Sequence, residues 1–394
     1  MSLPNGIVCT PEEYALSIVT AENPYPQVRC LTRGQSIGLA LTAESGFISL
    51  AAVLLLFGLV IRNVVRYSKL YPLGDWRLLQ VPMDIYMLSL FSLDLIQALG
   101  TVVDVKWVRL GKVYSGSFCT AQGVIQQFGE TGVAMTTTAI TVHTFVTVIW
   151  RVGIHSRAVA AVVVALIWAF VALFVGISAG IHRSGDAVYD TPTPYWCWVG
   201  ERYPGARIAG EYLWLWVALF SSVVVYVPLY FWSQGTLSVS ATRWWRFHVH
   251  RPAHAQGADG ARRRRALGML AYPLSYAVLV LPLSIVRWIS FRTGSAPSAA
   301  TFVVIFLYGL SGASNVLLLL LTRPQLLLFT SRGEVAARRR RAPRAVSLPP
   351  PPSSARSRVA TKAELVGGED EEGAWNLPSS VLKSFSSSEA PHAQ

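Results

Sequence analysis

Polar residues recur at helical spacing within one long apolar segment of the sequence. Gln122, Gln126 and Glu130 are four residues apart, which places their side chains on one face of a helix. Such a stripe either lines a polar ligand pocket or bonds neighbouring helices, and the spacing favours neither. Arg287 lies within another apolar segment, where a charged side chain is costly unless it faces a bundle interior or a water-filled cavity. It is a further candidate for ligand binding.

A second polar group combines residues that lie far apart in the sequence. Asp94 lies near the middle of the second apolar segment, and Ser311 and Asn315 lie one helical turn apart in the last one. These side chains are expected to form an interhelical polar network, which either takes part in signalling or only holds the helices together. The cysteines lack the spacing of a zinc or redox centre, so neither a metal site nor a cofactor is expected.

The composition indicates that most of these residues lie in a membrane. Of the 394 residues, 52% are hydrophobic and only 14% are charged, whereas an average soluble protein carries about 25% charged residues. The apolar residues form long unbroken runs, which a globular core does not need. The net charge of +13 lies in the loops and the tail, so it indicates a bilayer surface and not a nucleic acid as the partner.

Seven apolar segments are each long enough to cross the roughly 30 Å of hydrocarbon in a bilayer. They are longer than barrel strands and apolar all round, so they are predicted to be helices. The expected fold is an all-α membrane protein with a seven-helix bundle in residues 36–324. The predicted spans are 36–61, 81–103, 117–150, 158–181, 209–232, 266–291 and 298–321.

The distribution of basic residues predicts the orientation of these spans. With the amino terminus outside, 24 of the 34 Lys and Arg residues lie in cytoplasmic segments and 9 lie in outer ones. Cytoplasmic loops are enriched in these residues, so this orientation is preferred. Residues 1–35 contain four prolines and no continuous apolar run, and are expected to be a short extracellular tail without a cleavable signal.

The four cysteines all fall in the predicted outer part of the protein. Cys119 opens the third span and Cys197 lies in the second outer loop, so a disulfide between them would tie that loop to the bundle. Cys9 and Cys30 either form a second bridge or remain free thiols. Trp196 and Trp198 flank Cys197, where they either stack on a ligand or anchor the loop at the membrane interface.

Prolines interrupt the two predicted spans that flank the strongly basic cytoplasmic loop. Pro228 interrupts the fifth span, and Pro273 and Pro282 interrupt the sixth, so both helices are expected to be kinked. The loop between them carries Arg262, Arg263, Arg264 and Arg265, and Arg151 lies in the preceding cytoplasmic segment. These arginines either bind an acidic cytoplasmic partner or anchor the loop to lipid headgroups.

The carboxy-terminal segment 325–394 is predicted to be a disordered cytoplasmic tail, because it offers too little apolar surface to form a core. It contains four consecutive prolines, an acidic run and a serine cluster. Ser347 lies three residues after Arg344, a spacing that basic-directed kinases use. Ser347 is either phosphorylated by such a kinase or is a solvated serine that is never modified, and only the first alternative implies kinases or arrestin-like proteins as partners of the tail.

Other classes of seven-span protein fit the sequence less well. A retinal protein needs a lysine in the last span, but the sequence has no lysine between Lys112 and Lys362. A sugar transporter built from two three-helix repeats would show internal similarity, which is not evident by eye, but it remains the alternative. No hydrolase, metalloprotease or nucleotide-binding motif is present, so an enzyme is not expected.

Short characteristic patterns lie at residues 119–123, 141–145, 195–199, 203, 207–208, 211–216, 271–274, 281–283, 312–315 and 322–324. These patterns, spread over about residues 36–324, resemble those of the fungal glucose-receptor-like and slime-mould cyclic-AMP-receptor-like G protein-coupled receptors. The sequence departs from the rhodopsin-like class, because Trp150 and not an acid precedes Arg151, and no Asn-Pro-x-x-Tyr motif follows Asn315.

The resemblance implies a function as well as a fold. It implies a receptor in the plasma membrane that couples a small extracellular ligand to a heterotrimeric G protein, in fungal nutrient or cyclic-AMP signalling. It does not identify the ligand, because sequence similarity groups the members of this family better than the molecules they bind do.

Overall fold

The computed structural model describes residues 6–21, 23–70, 77–148, 156–181, 188–233, 237–239, 247–249, 259–294, 296–322 and 327. Most of these residues are helical. The helices are α1 (Pro11–Ser17), α2 (Arg33–Leu70), α3 (Pro82–Val102), α4 (Val105–Leu110), α5 (Ser117–Val148), α6 (Arg157–Ile181), α7 (Pro204–Arg207), a π-helix (Ile208–Tyr212), α8 (Leu213–Ser233), α9 (Asp259–Thr293), α10 (Ser298–Gly309) and α11 (Ser311–Thr322).

The long helices pack as a closed bundle around α5. Helix α5 contacts α3, α6 and α8, and α8 in turn packs against α9. Helix α9 contacts α10 and α11, and both of these pack on α2, which returns to α3. This order places α5 in the interior, where its polar face meets side chains from several neighbours.

Six helical stretches are long and apolar enough to cross a membrane: Arg33–Lys69, Pro82–Leu110, Arg157–Ile181, Pro204–Trp232, Leu274–Thr293 and Ser298–Thr322. The molecule is therefore a helical membrane protein. Helix α5 has 32 residues and fills most of the predicted third span, but it is not among the six. Its glutamines, threonines and Glu130 lower its mean hydropathy, so a seventh crossing remains a prediction.

The observed helices follow the predicted segments, with three differences. Helix α2 continues to Leu70, well beyond the predicted end at residue 61. Helix α9 begins at Asp259, so Arg262 to Arg265 lie within a helix and not in the loop that was predicted for them. The last predicted span is divided at Leu310 into α10 and α11.

Ser49 on α2 satisfies the backbone groups that this division leaves free. Its hydroxyl donates to the carbonyl oxygen of Gly309 at 2.6 Å and accepts from the amide of Ala313 at 3.2 Å. A break in a membrane helix is tolerated where a neighbouring helix supplies such partners. The division is therefore built into the packing of α2 against α10 and α11.

Short strands form three antiparallel pairs. They are β1 (Val28–Cys30) with β2 (Lys112–Tyr114), β3 (Asp190–Pro192) with β4 (Cys197–Val199), and β5 (Leu237–Val239) with β6 (Phe247–Val249). The first pair joins the amino-terminal segment to the turn after α4, with Arg29 opposite Val113. The expected short tail thus contains a helix and a strand that lie on the bundle.

The predicted Cys119–Cys197 disulfide is present, and of the two alternatives left open for Cys9 and Cys30 the structure shows the bridge. Cys119 at the start of α5 is bonded to Cys197 in β4, and Cys9 is bonded to Cys30 in β1. Glu13 in α1 also forms an ion pair with Lys112 in β2, which lowers the pKa of Glu13. We call the end of the bundle that carries both bonds the disulfide end.

Candidate functional site

The β3–β4 hairpin forms a lid of aromatic side chains over the disulfide end of the bundle. Cys197 holds the hairpin to α5 through its bond to Cys119. Trp196 lies in the turn before β4 and Trp198 lies within β4, and both are buried. Their indoles line one cavity, so both side chains point into the bundle.

The cavity beneath the hairpin, which we call the outer cavity, contains most of the predicted ligand-binding residues. Five of the six predicted candidates line it, namely Gln126, Glu130, Trp196, Trp198 and Arg287. The remaining lining residues were not predicted; they are Glu211, Tyr212, Leu283, Ile305 and Tyr308. The cavity thus brings together side chains from α5, the hairpin, the π-helix, α9 and α10.

Two guanidinium groups cover the tryptophan rings. The guanidinium carbon of Arg287 lies 4.6 Å from the ring centre of Trp196 and 5.5 Å from that of Trp198. The guanidinium carbon of Arg207 lies 5.2 Å from the Trp198 ring, and its Nε donates to the carbonyl oxygen of Val199 at 2.9 Å. Cations over aromatic faces are stabilised by the ring quadrupole, more strongly where water is excluded.

Two carboxyl groups lie on the other side of the same cavity. Glu130 in α5 and Glu211 in the π-helix face each other within hydrogen-bonding reach. Glu211 also accepts a hydrogen bond of 2.7 Å from the indole Nε1 of Trp198. Both residues are buried, so this end of the bundle holds acids and bases in a region that excludes water.

Several polar atoms of the outer cavity have no hydrogen-bond partner among the described residues. They are Oε1 of Gln126, Nε of Arg287 and the hydroxyl of Tyr308. Buried polar groups are nearly always hydrogen-bonded, either to protein or to ordered water. The site therefore offers one acceptor, one charged donor and one hydroxyl to a bound molecule.

Gln122 is used differently from the rest of its predicted stripe. Its Oε1 accepts from the indole of Trp107 at 2.6 Å and from the amide of Cys197 at 3.2 Å. Its Nε2 donates to Asp104 at 2.5 Å. These contacts join α5 to the start of β4 and to the α4 region, so Gln122 fits the alternative role of bonding neighbouring elements.

The π-helix places Glu211 and Tyr212 at the cavity, whereas Arg207 ends α7 just before it, outside the predicted span 209–232. A π-turn shifts the following side chains out of the ordinary helical register, and such turns are frequent at functional sites. Its Gly210 carbonyl accepts a 2.6 Å hydrogen bond from Thr131 in α5. Glu211 lies within the predicted span 209–232 and should have been identified by the charge criterion that was applied to Glu130. Tyr308 carries no charge and gave no signal.

A second cavity, the inner cavity, lies deeper in the bundle and has a volume of about 40 Å³, room for a few water molecules. It is lined by Thr137, Thr141, Ser222, Tyr276, Ser311 and Asn315 together with apolar residues. Tyr308 lines both cavities. The hydroxyl of Tyr276, like that of Tyr308, has no partner within the described part of the chain.

The predicted polar network is present in part. The Asn315 side-chain amide donates to both carboxylate oxygens of Asp94, at 3.2 and 3.0 Å. Ser311 lines the inner cavity on the preceding turn of α11. The pair joins α3 to the second half of the divided helix, next to that cavity.

Asp190 is a further buried acid at the disulfide end. Its side chain abuts Gly123 of α5, where a Cβ atom would lie 2.3 Å from Oδ1. Neither carboxylate oxygen has a hydrogen-bond partner among the residues described. Burial raises the pKa of Asp190 to about 7.

The structure describes the remaining predicted sites in less detail. Arg151 lies outside the described residues, and for Arg262 to Arg265 and Pro273 the structure describes only a helical backbone. Helices α8 and α9 continue through Pro228 and Pro282. The predicted tail lies outside the described residues, apart from Leu327, whose amide donates to Asp84 at the start of α3.

No protein-family model matches the sequence, and a search of the curated proteins finds no match. Among the described residues, no group of three His, Cys, Asp or Glu side chains could hold a metal ion. The interpretation of the outer cavity therefore rests on its geometry alone. The cavity brings charged donors and acceptors together in positions that are held by packing.

Proposed function

We propose that this protein is a seven-span receptor that couples an extracellular small molecule to a heterotrimeric G protein. The observation that carries the proposal is the outer cavity, which a disulfide-tied hairpin closes at one end of a helical bundle. A cavity that takes side chains from five elements changes shape when those elements move. A ligand in it can therefore favour one packing of the helices over another, to the extent that it binds the two packings differently.

The seventh crossing in this proposal is α5. Its polar residues Gln126, Gln127, Glu130 and Thr131 are all buried against other helices. A helix whose polar side chains face protein does not expose them to lipid, so low mean hydropathy does not prevent it from crossing. With α5 included, the amino-terminal segment and the β3–β4 hairpin share one side of the membrane.

That side is proposed to be the outside of the cell. Both disulfides lie at this end, and disulfides persist in oxidising compartments. The arginine-rich start of α9 then lies on the cytoplasmic side, as the excess of basic residues in these segments favours. The plasma membrane and fungal nutrient or cyclic-AMP signalling are proposed from the sequence resemblance.

Helix α9 is the proposed link between ligand and G protein. It carries Arg287 in the outer cavity and Arg262 to Arg265 near its other end, in one continuous helix. A displacement of Arg287 by a ligand would be transmitted along this helix, with Pro273 and Pro282 as the predicted points of bending. The four arginines near the start of α9 are proposed to bind the carboxy-terminal helix of a Gα subunit.

The test is nucleotide exchange on a panel of co-expressed Gα subunits in membranes that contain the protein. Replacing Arg262 to Arg265 by Gln should lower basal exchange on the coupled Gα. The matched control replaces Arg338 to Arg341, four arginines of the tail, in the same way and should leave exchange unchanged. If the wild type and the Arg262-to-Arg265 variant give equal rates of nucleotide exchange on every Gα, these arginines only anchor the helix to lipid. That result would argue against coupling to a G protein.

A small-solute transporter is the second candidate, and one observation favours it. Tyr308 lines both the outer and the inner cavity, so the two cavities could form successive solute-binding sites on one path through the bundle. Uptake of labelled solutes into proteoliposomes distinguishes the two functions. A tag at the amino terminus that is reached from outside intact cells supports the receptor orientation, and a protected tag favours the transporter.

A further inference from the structure

The outer cavity holds opposite charges that are close together but not paired. Arg287 is near enough to Glu130 and Glu211 to interact with both electrostatically. Among the described residues, however, the only ion pair within 4.0 Å is that between Lys112 and Glu13. Buried charges without a direct partner are costly. A molecule that touches both the acids and the arginine would remove that cost.

The tryptophan rings are not free to stack on a neutral ligand. Arg287 lies over both indoles, and Arg207 lies over Trp198 as well. A neutral ring would have to displace a guanidinium group before it could stack on either indole. Recognition in this cavity is therefore expected to depend on charge more than on stacking.

The size of the cavity limits the ligand. As its side chains stand, the cavity has a volume of only about 10 Å³, room for about one water molecule, so a ligand must be small and must move lining side chains apart to enter. The unpartnered atoms of the cavity, Oε1 of Gln126 and the hydroxyl of Tyr308, lie beside the charged groups. A small ligand must carry its two charges only a few atoms apart.

We propose that the outer cavity binds a small α-amino acid in its zwitterionic form, an inference that rests on the receptor function proposed above. The carboxylate binds the guanidinium of Arg287, whose planar donors match a carboxylate in two-point geometry. The ammonium group binds Glu130 and Glu211, with Oε1 of Gln126 as a further acceptor. The Tyr308 hydroxyl donates to the carboxylate.

The proposal is tested by binding to the purified full-length protein in the absence of G protein. Each proteinogenic L-amino acid is added at millimolar concentration, and thermal unfolding is followed. A ligand that binds only the folded state raises the unfolding temperature in a saturable manner. At least one amino acid should do so. Its methyl ester, which lacks the carboxylate, and its deaminated analogue, which lacks the ammonium group, should each bind roughly tenfold more weakly or worse.

A variant pair tests the role of the arginine. Arg287→Gln should weaken binding of the active amino acid by roughly tenfold or more, because the carboxylate loses its charged partner. The matched control is Arg292→Gln, since Arg292 lies on the same helix but is exposed and stacks only on Trp288. The control should bind as the wild type does. If Arg287→Gln does not fold, the ester and the deaminated analogue still decide the question with unaltered protein.

Three results would overturn the proposal. They are the absence of any shift across the amino-acid panel, equal shifts with the ester or the deaminated analogue, and a shift with glucose that exceeds those of all amino acids. These results are independent of coupling. An amino acid that binds without altering nucleotide exchange on any Gα would contradict the receptor function alone, whereas exchange driven only by a neutral ligand would contradict the ligand class alone.

Discussion

The indole Nε1 of Trp198 donates a hydrogen bond of 2.7 Å to Oε2 of Glu211. It joins the hairpin over the outer cavity to the π-helix in the cavity wall. Both residues are buried, so the bond is shielded from water, and its acceptor can carry a full charge. Hydrogen bonds to charged groups contribute about 1.5–3 kcal/mol, more than bonds between neutral groups.

Trp198→Phe should lower the free energy of unfolding by about 1.5–3 kcal/mol, because it removes the donor and leaves a buried acceptor unsatisfied. The aromatic ring remains, so stacking with Arg207 is largely kept. The measurement is thermal or chemical unfolding of the purified protein in detergent.

Trp214→Phe is the matched control for this change. The indole of Trp214 donates to the carbonyl oxygen of Ala209 at 3.1 Å, an acceptor only five residues away in the same helical segment, so this bond holds no separate element in place. Its loss should cost under about 1 kcal/mol. Equal destabilisation by the two substitutions would mean that the Trp198–Glu211 bond has no special role in holding the hairpin.

Loss of the Cys119–Cys197 bond should destabilise the protein more than loss of the Cys9–Cys30 bond. The sequence separations are 78 and 21 residues. Loop-closure entropy then gives about 4.5 and about 3.3 kcal/mol respectively. Paired Cys→Ala variants are compared by unfolding and by surface expression. A free-thiol assay that labels Cys119 and Cys197 in unreduced protein would contradict the bond itself.

The protein should lose stability as pH rises, in part because of Asp190. Burial raises the pKa of Asp190 to about 7, whereas an unfolded chain has an Asp pKa of about 3.9. Between these values the folded state holds a proton that the unfolded state has lost. Stability therefore falls as pH rises through this range, by at most about 4 kcal/mol, and the effect is complete above about pH 7.

Asp190→Asn tests this pH dependence. The variant should be more stable than the wild type at pH values above 7, and the difference should shrink towards zero as pH falls to about 4. Glu201→Gln in the same connection is the control, because Glu201 is exposed. A constant difference between Asp190→Asn and the wild type at all pH values would exclude Asp190 as the titrating group.

Gly129→Ala should destabilise the packing of α5 on α3. A Cβ atom at this position would lie 2.5 Å from the backbone nitrogen of Gln97, which cannot move aside cheaply. Overpacking of this kind costs about 1–3 kcal/mol. Gly176→Ala on α6 is the control, because nothing lies within 4 Å of its Cβ position. The control should be neutral or stabilising by up to about 1 kcal/mol, since alanine favours helix more than glycine does.

The apolar length of the segments was sufficient to locate the helices. A run that must satisfy its backbone inside hydrocarbon has little choice but to be helical, so the predicted bounds of α3 and α6 differ from the observed ones by one residue. The extension of α2 to Leu70 was missed because polar residues continue a helix beyond the membrane without an apolar signal. The division at Leu310 was missed because its compensating partner, Ser49, lies on a distant helix.

The site was predictable where a charge or a spacing marked it. Gln126 and Glu130 were found from their four-residue interval, and Arg287 from its charge in an apolar run. Tyr308 was not found, because a tyrosine in a hydrophobic helix looks the same whether it packs in the core or faces a cavity. The separate use of Gln122 depends on Trp107, which only the fold brings near it.

The last prediction concerns Asp94 and Asn315, whose contact joins α3 to α11 beside the inner cavity. Asn315→Asp would place two carboxyl groups in contact in a buried position and should destabilise the protein strongly. Asp94→Asn keeps an amide pair that retains one hydrogen bond and should cost less. The double variant, Asp94→Asn with Asn315→Asp, again pairs a carboxylate with an amide, but with their positions reversed. It should therefore recover stability relative to Asn315→Asp, with a coupling of about 0.5–3 kcal/mol between the two sites in unfolding measurements.

The same three variants separate a structural role of the pair from a role in signalling. If the contact only holds α3 to α11, the double variant Asp94→Asn with Asn315→Asp should recover both its stability and the wild-type level of basal nucleotide exchange on Gα. If Asp94 acts through its charge at its own position, stability recovers but exchange does not, because the carboxylate now projects from α11. Strict additivity of the two single changes in both measurements would show that the residues do not interact, contrary to the 3.0 Å contact between the Asn315 amide and Asp94.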